Sequence, residues 1–454
     1  MKKILLILLI SLGLFSCKKE FIDHNKIIQD EAFTIPAAYD GIVLGMTKEF
    51  AKNSLYRIVH GPGLTARELG NMLTFETESQ LVEGGPELTG VNSSVSGLWR
   101  HLHKNRGIAE KILANIDKLE FANQAESDAF TPKKKGYKAY AKLMQAITTG
   151  YMADYWEKVT LENDLNNHAT FVDRTVGYQT AITHIDEALN ILNGHQDAID
   201  YINGLVSSEF SIVDVLNAFK ARYEIELGNY QEAIDAANAV DLTKRSVWTY
   251  DGGAMKNPIY ENTVYVSKKR IKPLDSLGLK GSQIPETGDL RNDFYLDYKP
   301  GVSRSCGLPV DDIEGFWTTE TSPIPVYLPG EMLLIKAEAK ARMNALADAV
   351  TLIDQVRTKD PASDAFGVGA NLPAWTGNAT NQQAVLDEIY KNYAIELFLQ
   401  GQRFPIHRRF YPNYLDNIDW NQVSRCSLER LNNFYPYPDQ ERSNNPNCPP
   451  DPAF

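Results

Sequence analysis

The stretch from residue 215 to residue 240, VLNAFKARYEIELGNYQEAIDAANAV, constrains the fold more than any other part of the chain. Ala218 and Ala221 precede a Gly228-Asn229 break, and Ala233 and Ala237 follow it. Small side chains let two helices approach closely, and a glycine ends the first helix at low steric cost. The pattern predicts helices over 211–227 and 230–240, folded back on each other. A second pair, EMLLIKAEAKARMN followed by ALADAVTLIDQVR, predicts helices over 330–344 and 345–357.

Apolar residues recur at helical spacing through much of the remainder. One helix or two is expected within 31–57, with further helices over 96–118, 133–156 and 174–193. Thr380, Asn381, Gln382 and Gln383 resemble a capping box. They would open a helix that buries Leu386, Ile389, Tyr393 and Leu397 and stops at Gly401. The paired segments resemble tetratricopeptide repeats, but they are degenerate. The expected fold is therefore mainly α: an irregular tetratricopeptide-like scaffold with long aromatic-rich loops. Two such loops, about 242–330 and 358–378, are too long to be simple connections. Their aromatic content argues against disorder. Within the first, Thr263 to Val266 reads as a short strand. The tail beyond Leu431 is rich in Pro and Asn and should lie extended on the surface.

The amino end predicts export. Lys2 and Lys3 precede an apolar run from Ile4 to Leu14, and Ser16 stands just before Cys17. That is the layout of a signal peptide over 1–16, shorter than the roughly 20 residues of a membrane span. Leu14-Phe15-Ser16-Cys17 resembles the lipobox of bacterial lipoproteins, which implies acylation of Cys17 and a body running over 17–454. Two or more acyl chains suffice for stable anchoring. Lys18 stands where an aspartate would signal inner-membrane retention in some bacteria.

The chain has 46 Lys+Arg against 58 Asp+Glu, a formal charge of −12, and loss of Lys2 and Lys3 would make it −14. Such a surface repels phosphate backbones, so nucleic acid is not expected as a partner. The short basic runs at 133–135 and 403–409 read as solvated surface or helix ends. Beyond Cys17 there are Cys306, Cys426 and Cys448, which allow at most one intramolecular disulfide. Cys426 with Cys448 would close the C-terminal segment, and the sequence leaves the pairing open.

Several segments, in order behind the lipobox, resemble the SusD/RagB family of outer-membrane nutrient-uptake lipoproteins. They are Trp99-x-x-Leu102-x-x-Asn105, the Gly228-Asn229-Tyr230-x-x-Ala233 hairpin, Leu333 to Ala339, and Ile353 to Arg357. The most specific is IYKNYAIELFLQGQRFPIHRR over 389–409, in which Glu396, Leu397, Gly401 and Arg403 match the family pattern. The tail YPYPDQERSNNPN resembles the family's closing segment. Asn392, Tyr393, Gln400 and Pro405 depart from the pattern and mark a divergent branch. The resemblance implies a helical scaffold at the outer membrane, facing the outside. It implies a SusC-type TonB-dependent barrel as partner, and capture of an oligosaccharide or a peptide without turnover.

Other motifs carry less. Gly61-Pro62-Gly63-Leu64-Thr65-Ala66 fits a dinucleotide fingerprint in letters, but no strand–helix–strand unit surrounds it and Pro62 removes a donor; a surface turn is expected. Residues 162–173 echo a calcium loop without its glycine, so a polar loop is expected and neither metal nor cofactor is assigned. Asp311, Asp312 and Glu314, or Glu76 and Glu78, could be imagined as a hydrolytic pair. Such chemistry needs two carboxyls flanking one bond in space, and no catalytic residue is assigned. His101 and His103 should face different directions. Sugar rings lie on aromatic faces, so the expected ligand contacts are Asn71, Phe75, Trp248, Tyr250, Phe316, Trp317 and Trp375. Trp99 and Trp156 are expected in the core.

Overall fold

The computed structural model describes residues 29–453 apart from Leu165, Asn167, residues 265–268 and Ser305. The signal peptide and Cys17 lie outside the described residues. Among the described residues thirteen α-helices have eight residues or more: α1 (Tyr39–Glu49), α2 (Leu55–Thr65), α3 (Glu76–Glu83), α4 (Ser93–Asn115), α5 (Gln124–Tyr155), α6 (Arg174–Leu192), α7 (Gln196–Val206), α8 (Ile212–Leu227), α9 (Tyr230–Asn238), α10 (Pro329–Arg342), α11 (Leu346–Arg357), α12 (Gln382–Glu396) and α13 (Arg403–Phe410). Among the described residues, no helix is long and apolar enough to cross a membrane.

Both expected hairpins form. Gly228 closes α8 in the left-handed region (φ 77°), and α9 folds back along α8. α10 and α11 repeat the arrangement, and α9 packs on α10. The buried Ala218, Ala221, Ala233 and Ala237 make the close approach possible. α8 and α10 are joined by Arg222, which donates to both carboxylate oxygens of Glu331 at 2.7 and 2.9 Å. α5 packs on both α4 and α6. At its centre Gly150 leaves space for Tyr223 of α8: a Cβ there would stand 2.1 Å from the tyrosine ring.

Some boundaries differ from expectation for physical reasons. α5 begins at Gln124, well before residue 133, because the Asn123 side chain accepts from Glu126 N at 3.0 Å and caps the extra turns. Pro132 inside the helix costs a hydrogen bond without ending it. The cap of α12 is Asn381, whose side chain accepts from Ala384 N at 3.0 Å, one residue beyond the expected Thr380. Between α1 and α2 the chain stays helical through a π-helical turn, Phe50–Ser54. Gly61, Pro62 and Gly63 lie buried in α2, not in a surface turn.

Among the described residues the strands are short and form four antiparallel pairs. β1 (Leu69–Asn71) pairs with β5 (Ile271–Pro273), and β2 (Lys158–Thr160) with β3 (Phe171–Asp173). β4 (Val247–Trp248) pairs with β8 (Ile324–Pro325), and β6 (Leu296–Val302) with β7 (Pro309–Ile313). Thr263 ends a short helix, Pro258–Thr263; Tyr265 and Val266 of the expected strand lie outside the described residues. Cys306, in the turn of the β6–β7 hairpin, is bonded to Cys426, across 120 residues. Cys448 is therefore the free thiol among the described residues, and the Cys426–Cys448 closure is replaced by a staple holding the hairpin to the C-terminal segment.

Candidate functional site

Four chain segments meet in a cleft of about 430 Å³. α2 contributes Tyr56, Arg57 and His60; the turn into α3 contributes Phe75, Glu76 and Thr77; the start of α4 contributes Ser93 and Ser94; and Arg270 comes from the loop before β5. The β1–β5 pairing sets Asn71 opposite Ile271, and Met72 N donates to Arg270 O at 2.7 Å. This register places the Arg270 guanidinium 5.1 Å from the centre of the Phe75 ring. Phe75 is nonetheless 49% exposed.

Behind the ring, Tyr56 stacks on His60 at 5.1 Å, and Arg57 lies 5.9 Å from the Tyr56 ring centre. His60 shares Nδ1 with the Ser94 hydroxyl at 3.2 Å, and its Nε2 stands 3.6 Å from Glu78, an ion-pair rather than a hydrogen-bond distance. Burial raises the Glu78 carboxyl, but His60 and then Arg270 bring it below its ordinary value. Burial, reinforced by Glu78, pushes the Tyr56 phenol up to about 12, so it remains a neutral donor and acceptor. Asn92 caps α4, accepting from Ser94 N and Val95 N at 3.0 and 3.3 Å. Its amide also donates to Thr77 O at 3.0 Å and ties α4 to α3. The wall therefore presents the Phe75 ring with Tyr56 behind it, two guanidinium groups, the carboxyls of Glu76 and Glu78 and several hydroxyls. That set can stack on a ring and hydrogen-bond its substituents; among the described residues no group of three or more His, Cys, Asp or Glu is placed to hold a metal ion.

Of the seven expected contact residues, only Phe75 lines this cleft. Asn71 is nearby but 1% exposed, with its amide turned to Leu73 O. Trp248, Tyr250 and Trp317 are corrected to core residues. Trp248 packs on Phe50 at 5.0 Å, Tyr250 donates to Ala51 O at 2.9 Å, and Trp317 has no exposed surface. Phe316 lies half-buried among Phe294, Tyr295 and Phe366, and Trp375 half-buried beside α11. Loops of this length can bury their own aromatics, and here they do. Tyr56, Arg57, His60 and Arg270 were missed. α2 reads as an ordinary amphipathic helix, and Arg270 reaches the cleft only through a strand pairing about 200 residues distant in the chain.

The other motifs resolve into structural roles. Asp312 pairs with Lys272 at 2.5 Å, whereas Asp311 on the opposite strand face is buried. Burial and the neighbouring Asp275 push the Asp311 carboxyl up to about 6. The two carboxyls therefore do not face one bond. His101 pairs with Glu49 at 2.7 Å and His103 with Asn163 at 2.7 Å, in different directions as expected. Trp99 and Trp156 are core, as expected, with ring centres 4.9 Å apart. The calcium-like segment falls partly outside the described residues; its Asn163 binds His103 and Arg106.

The chain is thus a helical-repeat scaffold that carries a small aromatic and polar cleft among its loops. The SusD family model matches residues 313–449. Beyond that segment the likeness is one of fold: the chain has a SusD-like fold along its length. A SusD superfamily protein from Bacteroides vulgatus is 14% identical, with a TM-score of 0.66 over 92% of this chain and 99% of that one. A SusD-like carbohydrate binding protein from Bacteroides fragilis is 13% identical, with a TM-score of 0.65 over the same shares. A laminarin binding SusD-like protein is 13% identical, with a TM-score of 0.62 over 92% and 99%. No curated protein matches the chain by sequence.

Proposed function

We propose that the protein captures an oligosaccharide in the Phe75 cleft and acts as a non-catalytic nutrient-binding lipoprotein of the outer membrane. The observation that carries this reading is the half-exposed Phe75 ring, backed by Arg270 and bordered by Glu76, Thr77, Ser93 and Arg57. A sugar offers an apolar face to a ring and hydroxyls to charged and polar neighbours, and few other side-chain sets satisfy both at once. The names of similar folds, a laminarin binding protein and a carbohydrate binding protein, agree with this ligand class. Acylation of Cys17 would tether the body to the membrane. A SusC-type TonB-dependent barrel would receive the ligand, as the family resemblance implies.

Calorimetric titration with a panel of neutral oligosaccharides, β-1,3-glucans included, tests the reading. Saturable binding without release of shorter products is expected. Failure of the whole panel to bind would sink it, and so would product release. Labelled palmitate incorporation, abolished by Cys17→Ala, checks the anchor. Co-purification from solubilised outer membranes checks the barrel partner.

A further inference from the structure

A second cleft, of about 340 Å³, shares no residue with the Phe75 cleft. Arg174 stands at the start of α6, Glu226 at the end of α8, Arg408 and Arg409 at the end of α13, and Pro412 and Phe434 form an apolar rim. Arg409 is fully committed: it reaches Glu226 and both oxygens of Glu338. Glu338 also accepts from Arg342 at 2.8 Å. Arg174 spends Nε on Ala153 O and Nη2 on Tyr178 and Glu226. Its Nη1 has no hydrogen-bond partner among the described residues.

Arg408 differs from its neighbours. It is 7% exposed, yet no carboxylate bonds to it. Its Nη1 donates to the backbone oxygens of Asp154 and Asn433, both at 2.9 Å, and its Nη2 has no partner among the described residues. The ring of Phe434 lies against both guanidinium groups, 4.4 Å from Arg408 and 5.8 Å from Arg174. Arg174, Arg342, Arg408 and Arg409 thus stand among three carboxyls: Glu226 and Glu338, which bond to all of these arginines but Arg408, and Asp154, which bonds to the Tyr178 hydroxyl. One positive charge is left uncompensated in a nearly dry setting, where an unpaired ion is costly. Burial and then the like charge of Arg174 pull the Arg408 guanidinium down to about 10, in keeping with that imbalance.

We infer that this cleft is a second ligand site, which takes a single carboxylate carried on a ring or apolar body. A planar carboxylate matches guanidinium donors, and one negative charge completes the count. A dianion would overshoot it and meet Glu226. Phe434 and Pro412 would cover the adjoining body of the ligand. The carboxylate could be that of an acidic sugar or of a peptide end, and the titration separates the two.

The whole chain is titrated with N-acetylphenylalanine, its amide, glucuronate and inorganic sulfate at constant ionic strength, with the arginine side-chain NMR signals followed. At least one carboxylate should bind saturably and move the Arg174 and Arg408 signals, about tenfold tighter than the amide or sulfate. Glucuronate as the tighter probe would identify an acidic sugar, and N-acetylphenylalanine a peptide end. Arg174→Gln should lose this binding. Pro412→Glu, at an exposed rim position, should lose it without touching the ion pairs, while Pro412→Gln keeps it. Equal affinity for acid and amide would overturn the inference, as would equal affinity for sulfate or unchanged binding in Pro412→Glu. Phe75→Ala should leave carboxylate binding intact, so the two clefts succeed or fail separately.

Discussion

Truncation of Phe75 is the sharpest test of the proposed glycan cleft. A phenylalanine side chain offers roughly 150–250 Å² of surface. With 49% of the residue exposed, on the order of 100 Å² is open for a ligand to cover. At about 25 cal/mol per Å² this corresponds to roughly 2.5 kcal/mol, and a ligand covering most of it gains about 2 kcal/mol. Phe75→Ala should therefore weaken oligosaccharide binding about 30-fold. It should do so at nearly unchanged stability, since the ring fills no core space. Phe75→Trp should keep or tighten binding. The assay is calorimetry on both variants beside a thermal melt. A change below about threefold in Phe75→Ala, with the fold intact, would show that the ring is not the platform, and the ligand would have to be sought elsewhere.

Three further outcomes probe the scaffold. Glu331→Gln leaves Arg222 charged and buried between α8 and α10, so urea unfolding should show a loss of about 3–5 kcal/mol. Gly150→Ala gains up to about 1 kcal/mol of helix propensity but drives a methyl into the Tyr223 ring. The clash should win, with a net loss of about 1–2 kcal/mol read from the same unfolding curves. Asp154 is buried, and its carboxyl is pushed from an ordinary 3.8 up to about 6 by burial, then by Glu226. The folded chain therefore holds a proton between pH 4 and 6 that the unfolded chain has released, so this group's contribution to stability falls as pH rises through that window. The drop is about 3 kcal/mol and should be absent from Asp154→Asn, so the stability difference between wild type and the variant should change by about that much between pH 4 and pH 7.

The repeat scaffold was legible because its signals are local. Gly228 between runs of alanine, and the alternation of Leu333, Leu334, Ala337 and Ala341, specify helix pairs without reference to distant residues. α7 was missed because Gln196–Val206 is short and its buried Ala198, Ile202 and Val206 define only a narrow stripe. The cleft was far less legible. Phe75, expected from its position in a polar loop, lines the proposed cleft, whereas Trp248 and Trp317 carried the same signal and are core. An aromatic residue in a long loop reads alike whether it faces a ligand or closes the loop on itself. Only the tertiary arrangement separates the two. Arg270 illustrates the same limit, since nothing near it in the chain points to Phe75.

The two proposed sites place opposite demands on the chain, and the fold meets them in different places. The carboxylate cleft lies where helix ends converge, so its guanidinium groups are held by ion pairs that also join α6, α8, α10 and α13. Occupying it would neutralise a charge the scaffold already carries, and so should stabilise the repeat region itself. The Phe75 cleft instead rests on one helix face, a capped helix start and a short strand pair, with its ring held by a single guanidinium contact. Changes of residue there cost little stability, because the exposed ring and its polar neighbours contribute little to the core. Ligand preference can therefore diverge at the Phe75 cleft while the helical body stays fixed, which fits a chain sharing a fold with proteins only 13–14% identical to it.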